Sequence, residues 1–232
     1  MKKLLLLALF SAIAFANWHL YPSAYRYLQK RASIIKDFYF FANTSEPIVA
    51  LTFDDGPNRK TAKLMRVLKE YNAPATFFLI AKNLDYKYDN LYKDELFSVG
   101  MHTFSHKNFD KLNYAQIDRD FTKAVALFRA HNLEHSLFRP AYGVVNKRLD
   151  AILKKRGIKA ILWSNDTIDW SKRLKSYRSV IDNLSSGDII LMHDHATSPK
   201  ELRALIVAIY AKGYKIVPLK RLLKYKSKYP IK

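Results

Sequence analysis

The sequence of 232 residues contains no cysteine. That absence excludes disulfide bonds, and it also excludes thiolate-bound zinc and iron–sulfur clusters. Any bound metal must therefore be held by histidine and carboxylate side chains. Acidic residues are scarce as well, with 20 Asp and Glu against 40 Lys and Arg, so that the formal net charge is +20. Internal repeats and low-complexity tracts are also missing, and the length is enough to bury one sizeable core.

The one long apolar stretch lies at the start, in MKKLLLLALFSAIAFANW. Two lysines, about a dozen apolar residues and a small-x-small ending at Ala14–Ala16 are typical of a cleavable signal peptide. We predict a signal peptide over residues 1–16 and an exported protein, periplasmic or secreted. The alternative is an uncleaved membrane anchor, although the run is shorter than the roughly 20 residues that a spanning helix needs.

The basic composition bears on the kind of partner. Without Lys2 and Lys3 the chain has 38 basic and 20 acidic side chains, a formal charge of +18. Such a charge favours anionic surroundings such as cell-wall polymer, lipid headgroups or nucleic acid. Export argues against nucleic acid, and the basic residues are spread along the chain rather than gathered in one arm. We interpret them as solvated surface charge that allows peripheral association with membrane or wall.

Short apolar runs alternate with amphipathic ones from residue 47 onward. The apolar runs are nearly continuous in hydrophobicity, as in strands buried on both faces, and they predict strands at 47–53, 75–80, 97–102, 136–140, 158–163, 188–193 and 214–219. Helices are predicted between and after them at 60–71, 89–96, 114–131, 146–156, 176–185, 199–212 and 219–226. This alternation implies an α/β fold with parallel strands, either an open doubly wound sheet or a barrel. Seven units favour the barrel.

The alternation of predicted strands and helices indicates a single catalytic domain over residues 47–226, because no linker interrupts that range. We predict that residues 17–46 form a helical lead-in segment without chemistry. Residues 227–232 are predicted to be a C-terminal tail.

Unusual polar residues follow the predicted strands. They are Asp54 and Asp55, His102 and His106, Arg139, Asp169, His193 and Asp194. All of them fall at the carboxyl end of a strand, which is the rim where α/β folds build their active sites.

The two histidines of this set are four residues apart, in HTFSH. That spacing places both rings on one face of a helical turn, where they could hold one metal ion. The residues between them include no glutamate, unlike the pattern of zinc proteases, so any base and third ligand must come from elsewhere. The alternative is a pair of polar residues in a turn.

Five motifs occur in a characteristic order: TFDDGP at 52–57, HTFSH at 102–106, FRPAYG at 138–143, DW at 169–170 and ILMHD at 190–194. In this order they resemble the motifs of the polysaccharide deacetylases, also called the NodB homology domain or carbohydrate esterase family 4. The resemblance spans about residues 47–220. It implies a distorted (β/α)7-type barrel with a metal-dependent deacetylase site for N-acetylated sugars.

The resemblance also implies a ligand set for one divalent metal ion: Asp55, His102 and His106. Three protein ligands leave open positions for water and substrate, as in a catalytic zinc site. Zinc is favoured, but cobalt, iron and nickel suit the same donors. The same resemblance makes Asp54 the general base. Taken alone, the DDG sequence would be a turn or helix-cap motif.

Further roles follow from the resemblance. Arg139 orients Asp54, the backbone N–H of Tyr142 binds the oxyanion, and His193 is the general acid that Asp169 holds in place. The alternatives are a surface salt bridge for the arginine, simple packing of the tyrosine ring and a structural role for the histidine.

Two apolar residues are implied in the substrate pocket. Trp170 would form its wall and Leu191 would line the space for the acetyl methyl group, whereas either could equally be a core residue. One departure from the family pattern is Ala141, at a position where many relatives have a second proline in this loop.

Together these features predict de-N-acetylation of a cell-envelope polysaccharide with release of acetate. Peptidoglycan is favoured because it lies outside the membrane, where an exported protein would meet it, and because it is N-acetylated and anionic. The alternatives are poly-N-acetylglucosamine or chitin oligomers, a small amide or cyclic imide, and a non-catalytic wall-binding protein with the same fold. An idle protein of that kind would be expected to have lost Asp54 or His193, and both are present.

Overall fold

The computed structural model describes residues 38–171 and 177–228, which form an α/β fold. The strands within these ranges are β1 (Phe38–Tyr39), β2 (Phe41–Ala42), β3 (Ile48–Gly56), β4 (Ala75–Leu79), β5 (Phe97–Met101), β6 (Leu137–Phe138), β7 (Lys159–Ile161), β8 (Asn165–Asp166), β9 (Ile189–His193), β10 (Lys215–Ile216) and β11 (Ser227–Lys228). The α-helices are α1 (Thr61–Glu70), α2 (Tyr114–Ala130), α3 (Lys147–Arg156), α4 (Tyr177–Asp182), α5 (Pro199–Ala211) and α6 (Leu219–Leu222).

The strands build one large parallel sheet. Its order is β1-β7-β6-β5-β4-β3-β9-β8, and β10 pairs with the start of β3. Each of these pairings is parallel, which requires the crossover helices that separate the strands. The sheet curls into a half-barrel, so the predicted barrel-type α/β fold is confirmed in this form.

Strand β3 shows how the two faces of the sheet differ. Alternate residues of a strand face opposite sides. One set joins the larger apolar cluster, which also contains buried side chains of the helices: Val49, Leu51 and Phe53. The other set starts with Ile48 and Ala50, which belong to a second apolar cluster. It continues toward the carboxyl end of the strand with two buried polar residues, Thr52 and Asp54. The inner face of the curled sheet therefore ends in buried polar groups.

The predicted helix boundaries correspond to capping structures. Asn113 begins α2 and Ser198 begins α5, each with a capping box that satisfies free backbone N–H groups. Gly157 follows α3 and Gly213 lies just beyond α5, both with positive φ. Local sequence signals therefore set the lengths of the crossover helices.

The lead-in segment differs from its prediction where the structure describes it. Residues 38–42 form strands instead of a helix: β1 pairs with β7 at the edge of the large sheet, and β2 pairs antiparallel with β11. Phe38 and Phe40 are buried. The run FYFFA is rich in aromatic residues, which favour strands. The proposed signal peptide at 1–16, residues 17–37 of the lead-in and residues 229–232 of the tail lie outside the described residues.

Smaller differences concern secondary structure alone. The segment predicted as a helix at 89–96 is a 3₁₀ segment at Tyr86–Lys93, and the terminal helix is shortened to α6. Strand β8 was not predicted, because two residues carry no periodic signal. In the ranges that the structure describes, every helix is too short or too polar to cross a membrane. The limits of the catalytic domain at 47–226 stay a prediction.

Gly187 allows β2 to approach β9, and it gives a test of this packing. Its φ is 87°, and a Cβ added there would lie 2.1 Å from the carbonyl oxygen of Ala42. We expect Gly187→Ala to lower the free energy of unfolding by about 3 kcal/mol or more, from backbone strain and this clash. Gly157→Ala is the control, because its φ is 65° but no atom lies within 4 Å. It should cost about 1 kcal/mol. If urea unfolding shows the same loss of unfolding free energy in both variants, the close approach of Gly187 to Ala42 is contradicted.

Candidate active site

A bulge at the end of β3 brings two neighbouring carboxylates to one side. The register against β4 shifts between Asp54 and Gly56, and Asp55 has a φ of 74°. In a regular strand the two aspartates would face opposite ways, but the bulge redirects the second one. Their Oδ atoms lie 3.8 Å and 3.5 Å from Nε2 of His102. Both carboxylates therefore reach one pocket.

The segment that carries His102 and His106 is an irregular loop, so the expected helical turn is wrong. Thr103 has a φ of 64° and His106 a φ of 57°. The two imidazole rings are nevertheless neighbours, with centroids 5.0 Å apart. Two left-handed residues in this loop, Thr103 and His106, place the rings together without helical periodicity.

Hydrogen bonds from the loop to a buried aspartate hold this conformation. Asp120 of α2 accepts a bond from the backbone N–H of Phe104 at 2.8 Å and another from the hydroxyl of Ser105 at 3.1 Å. Within the loop, the backbone N–H of His106 donates to Thr103 Oγ1 at 2.8 Å. These bonds offset the strain of the left-handed residues.

Asp55, His102 and His106 form a cluster with the geometry of a metal site. Their ligand atoms lie within 4.8 Å of one another. Asp55 Oδ1 is 3.2 Å from Nε2 of His106 and 3.5 Å from Nε2 of His102. Burial, together with the neighbouring His102, lowers the pKa of His106 and favours the neutral ring that binds metals.

The donor set of this cluster fits a cation. Asp55 Oδ1 is buried, and among the described residues it has no hydrogen-bond partner. The carbonyl oxygen of Arg139 lies 2.9 Å from Nδ1 of His102, which assigns the proton to Nδ1 and leaves a lone pair on Nε2. A buried acceptor faced by imidazole lone pairs is costly unless a cation satisfies it.

Arg139 is fully buried beneath the cluster. Its Nη1 donates to Asp54 Oδ1 and to Thr52 Oγ1, each at 2.8 Å. Its other nitrogens donate to the carbonyl oxygens of Ile161 and Leu162 at 3.2 Å and 2.9 Å. The guanidinium also stacks over the ring of Phe78, 4.2 Å from its centroid. The arginine is therefore a core residue that fixes a carboxylate, and not a surface salt bridge.

His193 and Asp169 form a second ion pair. Asp169 Oδ1 lies 2.7 Å from Nδ1 of His193, and Asp169 Oδ2 accepts bonds from the His193 N–H at 2.8 Å and from the Thr197 hydroxyl at 2.6 Å. Burial alone would lower the pKa of His193, but Asp169 outweighs it and raises this pKa to about 9. Burial of Asp169 is likewise outweighed by His193 and Thr197, so the pKa of Asp169 is lowered. The imidazole is thus a protonated donor at neutral pH.

Three further predicted residues lie around these pairs. Tyr142 has a φ of 59°, is 63% exposed and places its ring centroid 4.7 Å from that of His106. Trp170 follows Asp169 directly and is half exposed. Leu191 is buried, on the same face of β9 as His193. The first two are therefore accessible to a large ligand, whereas Leu191 forms part of the floor.

Several polar residues at the site were not predicted. Thr52 and Thr197 bind the arginine and the second ion pair, as described above. Each has a sequence signal, since Thr52 lies two residues before Asp54 on the same face of its strand and Thr197 lies one turn after His193. Asp120 had no signal, because a single acid in an amphipathic helix is ordinarily solvent-exposed.

Asp194 and His195 complete the surroundings. Burial raises the pKa of Asp194 to about 7, against the hydrogen bonds that it accepts from Thr61 and Asn58. It anchors the start of α1 to the end of β9. His195, for which no role was predicted, is half exposed, and its Nδ1 lies 3.5 Å from Asp55 Oδ2.

Comparison with known proteins agrees with this geometry. A family model described as polysaccharide deacetylase matches residues 41–161. A peptidoglycan-N-acetylglucosamine deacetylase of Bacillus cereus is 31% identical over 194 residues, which cover 78% of this chain and 91% of that protein. The corresponding enzyme PgdA of Listeria monocytogenes is 32% identical over 182 residues, 75% of this chain and 38% of that longer protein.

A solved structure supports the same assignment. A deacetylase crystallised with substrate superposes with a TM-score of 0.70 at 33% sequence identity, and the match covers 80% of this chain and 95% of the other. The curled α/β fold, together with the polar residues at its rim and the sequence similarity, defines a class of carbohydrate deacetylases. The chain belongs to the polysaccharide deacetylase family.

The support of the histidine loop by Asp120 gives a second test. We expect Asp120→Ala to weaken metal binding about tenfold to a hundredfold, although Asp120 is not in the candidate ligand set, because the loop loses two hydrogen bonds. Asp118→Ala is the matched control on the same helix, since Asp118 pairs with the remote Arg156. Titration calorimetry with zinc measures both. Equal affinities in the two variants would contradict the role of Asp120.

Proposed function

We propose that this chain is a metal-dependent deacetylase that removes acetyl groups from the N-acetylated sugars of peptidoglycan outside the cytoplasm. The observation that carries the proposal is the cluster around Asp55 Oδ1, a buried acceptor between two imidazoles. A carboxylate fixed by Arg139 and a protonated His193 lie on the same face of the sheet. Two of the relatives described above are named peptidoglycan deacetylases, which supports the choice of polymer.

Asp55, His102 and His106 would hold the metal ion. We favour zinc as this ion, and the same imidazole and carboxylate donors also suit cobalt, iron or nickel. When bound there, a divalent cation would polarise the amide carbonyl and acidify water.

Asp54 would act as the general base. Arg139 and the bulge hold its carboxylate next to the cluster, with Oδ1 bound to the guanidinium and Oδ2 directed toward His102. As a water oxygen attacks the acetyl carbon, Asp54 accepts one of its protons. The bond to Arg139 orients the carboxylate throughout, so no reorganisation is needed.

His193 would act as the general acid. The attack forms a C–O bond and places negative charge on the carbonyl oxygen, to which the backbone N–H of Tyr142 donates. His193 gives its proton to the sugar nitrogen, the C–N bond breaks, and acetic acid and a free amine depart. Asp169 keeps the imidazole charged and fixed until that moment.

Two residues would shape the pocket. Trp170 offers an exposed aromatic face beside the acid pair, and Leu191 provides an apolar floor on the strand that carries His193. An aromatic wall suits a sugar ring, while a buried leucine suits the acetyl methyl group.

Charge supports an anionic polymer as substrate. A formal charge of +18 after removal of the predicted signal peptide attracts peptidoglycan, whose stem peptides carry carboxylates. Neutral chitin oligomers offer no such attraction. The predicted signal peptide supports a periplasmic or secreted location, where this polymer is found.

Binding of the metal and use of the metal can be separated by two substitutions. Asp54→Asn should keep the metal and lower acetate release about a hundredfold or more, because the base is lost. His106→Ala should lose the metal itself, because a ligand is lost. Elemental analysis and acetate assays measure the two effects. An active Asp54→Asn enzyme would refute the assignment of the base.

The acid pair predicts a pH dependence. His193 must be protonated, and its pKa is raised to about 9, so kcat/KM should fall as the pH rises through about 9. In Asp169→Asn, the lowering of the His193 pKa by burial is opposed only by the more distant Asp54 and Asp55, and the alkaline decline should move to lower pH. Asp118→Asn serves as the control of equal charge change. An alkaline limb that stays in place in Asp169→Asn would count against the pair.

The substrate is tested by acetate release from purified peptidoglycan, chitin oligomers and poly-N-acetylglucosamine of equal N-acetyl content. We expect the highest rate on peptidoglycan, and we expect salt to slow that reaction because it screens the attraction. Efficient deacetylation of the neutral glycans without any acetate from peptidoglycan would disprove the substrate and leave the mechanism intact.

A further inference from the structure

A cavity of about 360 Å³ lies behind the histidine loop, on the side of α2. The residues that matter for its chemistry are Phe104, Ser105, Lys107, Arg119, Asp120 and Lys123. Three of these belong to the loop after β5 and three to α2. The cavity therefore shares its wall with the candidate metal site, but the mechanism described above makes no use of it.

The lining of the cavity carries an excess of positive charge. Lys107, Arg119 and Lys123 are exposed at its edge, and none of the ion pairs within residues 38–171 and 177–228 involves them. Lys123 lies over the ring of Phe104, with Nζ 5.4 Å from the centroid. Arg119 and Lys123 are four residues apart and so project from the same side of α2.

The one acidic residue among those lining the cavity does not neutralise this charge. Asp120 is buried, and both of its oxygens already accept hydrogen bonds from Phe104 and Ser105. The cavity lining thus contains three cationic side chains and one carboxylate, which is already bound to the loop. The excess charge at the mouth of a concave site favours a small anion.

We propose that this cavity binds a carboxylate of the stem peptide attached to the sugar backbone of peptidoglycan. The proposal rests on the proposed function and identifies the part of the polymer that this chain uses to select it. Lys107 follows His106 directly, so the cavity begins one residue from the candidate metal ligands. The stem peptide is covalently attached to the sugar backbone, and three of its residues in an extended conformation span about 10 Å.

A covalently linked carboxylate is a better occupant than a separate anionic polymer. The stem carboxylate and the N-acetyl group belong to the same chain, so binding of one raises the effective concentration of the other. The cavity is also lined in part by the loop that carries His102 and His106, so a ligand linked to the sugar is well placed to enter it.

The experiment compares two substrates that differ in charge alone. Disaccharide-peptide oligomers are prepared with stem peptides that end in free carboxylates or in carboxamides. The readout is the ratio of kcat/KM for the carboxylate form to kcat/KM for the carboxamide form, measured on the metal-loaded protein without residues 1–16. A ratio of this kind cancels any general effect of a substitution on folding or metal content.

The test variant combines Arg119→Gln with Lys123→Gln. Its control combines Arg129→Gln with Lys212→Gln, which removes the same charge from two exposed residues away from the cavity. Arg129 lies in the last turn of α2, and Lys212 directly follows α5. We expect the ratio to fall about tenfold in the test variant, mainly through KM, because two partly exposed charge contacts are lost. The control should change the ratio by less than about twofold.

The possible failures are distinguishable. An unchanged ratio in the test variant, or an equal fall in both variants, would overturn the carboxylate subsite while the deacetylase function stands. Inhibition by a soluble polyphosphate, without dependence on the stem carboxylate, would reassign the cavity to phosphate polymers and would also overturn it. If the unmodified protein released no acetate from either oligomer or from peptidoglycan, the proposed function itself would fail, and the subsite with it.

Discussion

The hydrogen bonds of one buried guanidinium hold the candidate site together. Arg139 binds the carboxylate of Asp54 and Thr52 on β3, and its backbone carbonyl lies against Nδ1 of His102 after β5. It also donates to carbonyl oxygens at the end of β7. The side chain and backbone of Arg139 thus connect β3, β7 and the loop after β5. Removal of one partner of a buried pair costs about 3–5 kcal/mol, so catalytic geometry and fold stability depend on the same contacts.

The site contrasts with the rest of the surface in charge. The chain as a whole is strongly basic, yet three of its buried acids, Asp54, Asp169 and Asp194, lie near the carboxyl ends of the strands. Burial raises the pKa of Asp166 and that of Asp188 to about 6, and neither carboxylate belongs to the proposed mechanism. Asp188 instead ties the turn before β9 to Ser164 and Asn165. A polyanionic substrate would thus be drawn to the basic surface as a whole, whereas the pocket itself presents carboxylates.

The sequence predicts a large part of this arrangement, for identifiable reasons. The alternation of apolar runs follows from strands buried on both faces, and caps such as Asn113 and Ser198 depend on adjacent residues alone. Strand-end polar residues and ordered motifs predict which side chains approach one another. The left-handed Asp55 and His106, the support from Asp120 and the strands at 38–42 depend on contacts between distant segments, which local patterns do not encode.

The attachment of His193 to one carboxylate has a consequence for the reaction cycle. Its ring nitrogen Nδ1 and its backbone N–H both bind Asp169, while the side chain is only 14% exposed. The imidazole therefore cannot turn to exchange protons on its other side, and Nε2 is left as the route. If His193 acts as the proposed general acid, the proton that it gives to the departing amine must be replaced through Nε2, on the side from which the amine leaves. In that mechanism the acid could be reprotonated only after the product has left Nε2, so product departure and reprotonation would occur in a fixed order.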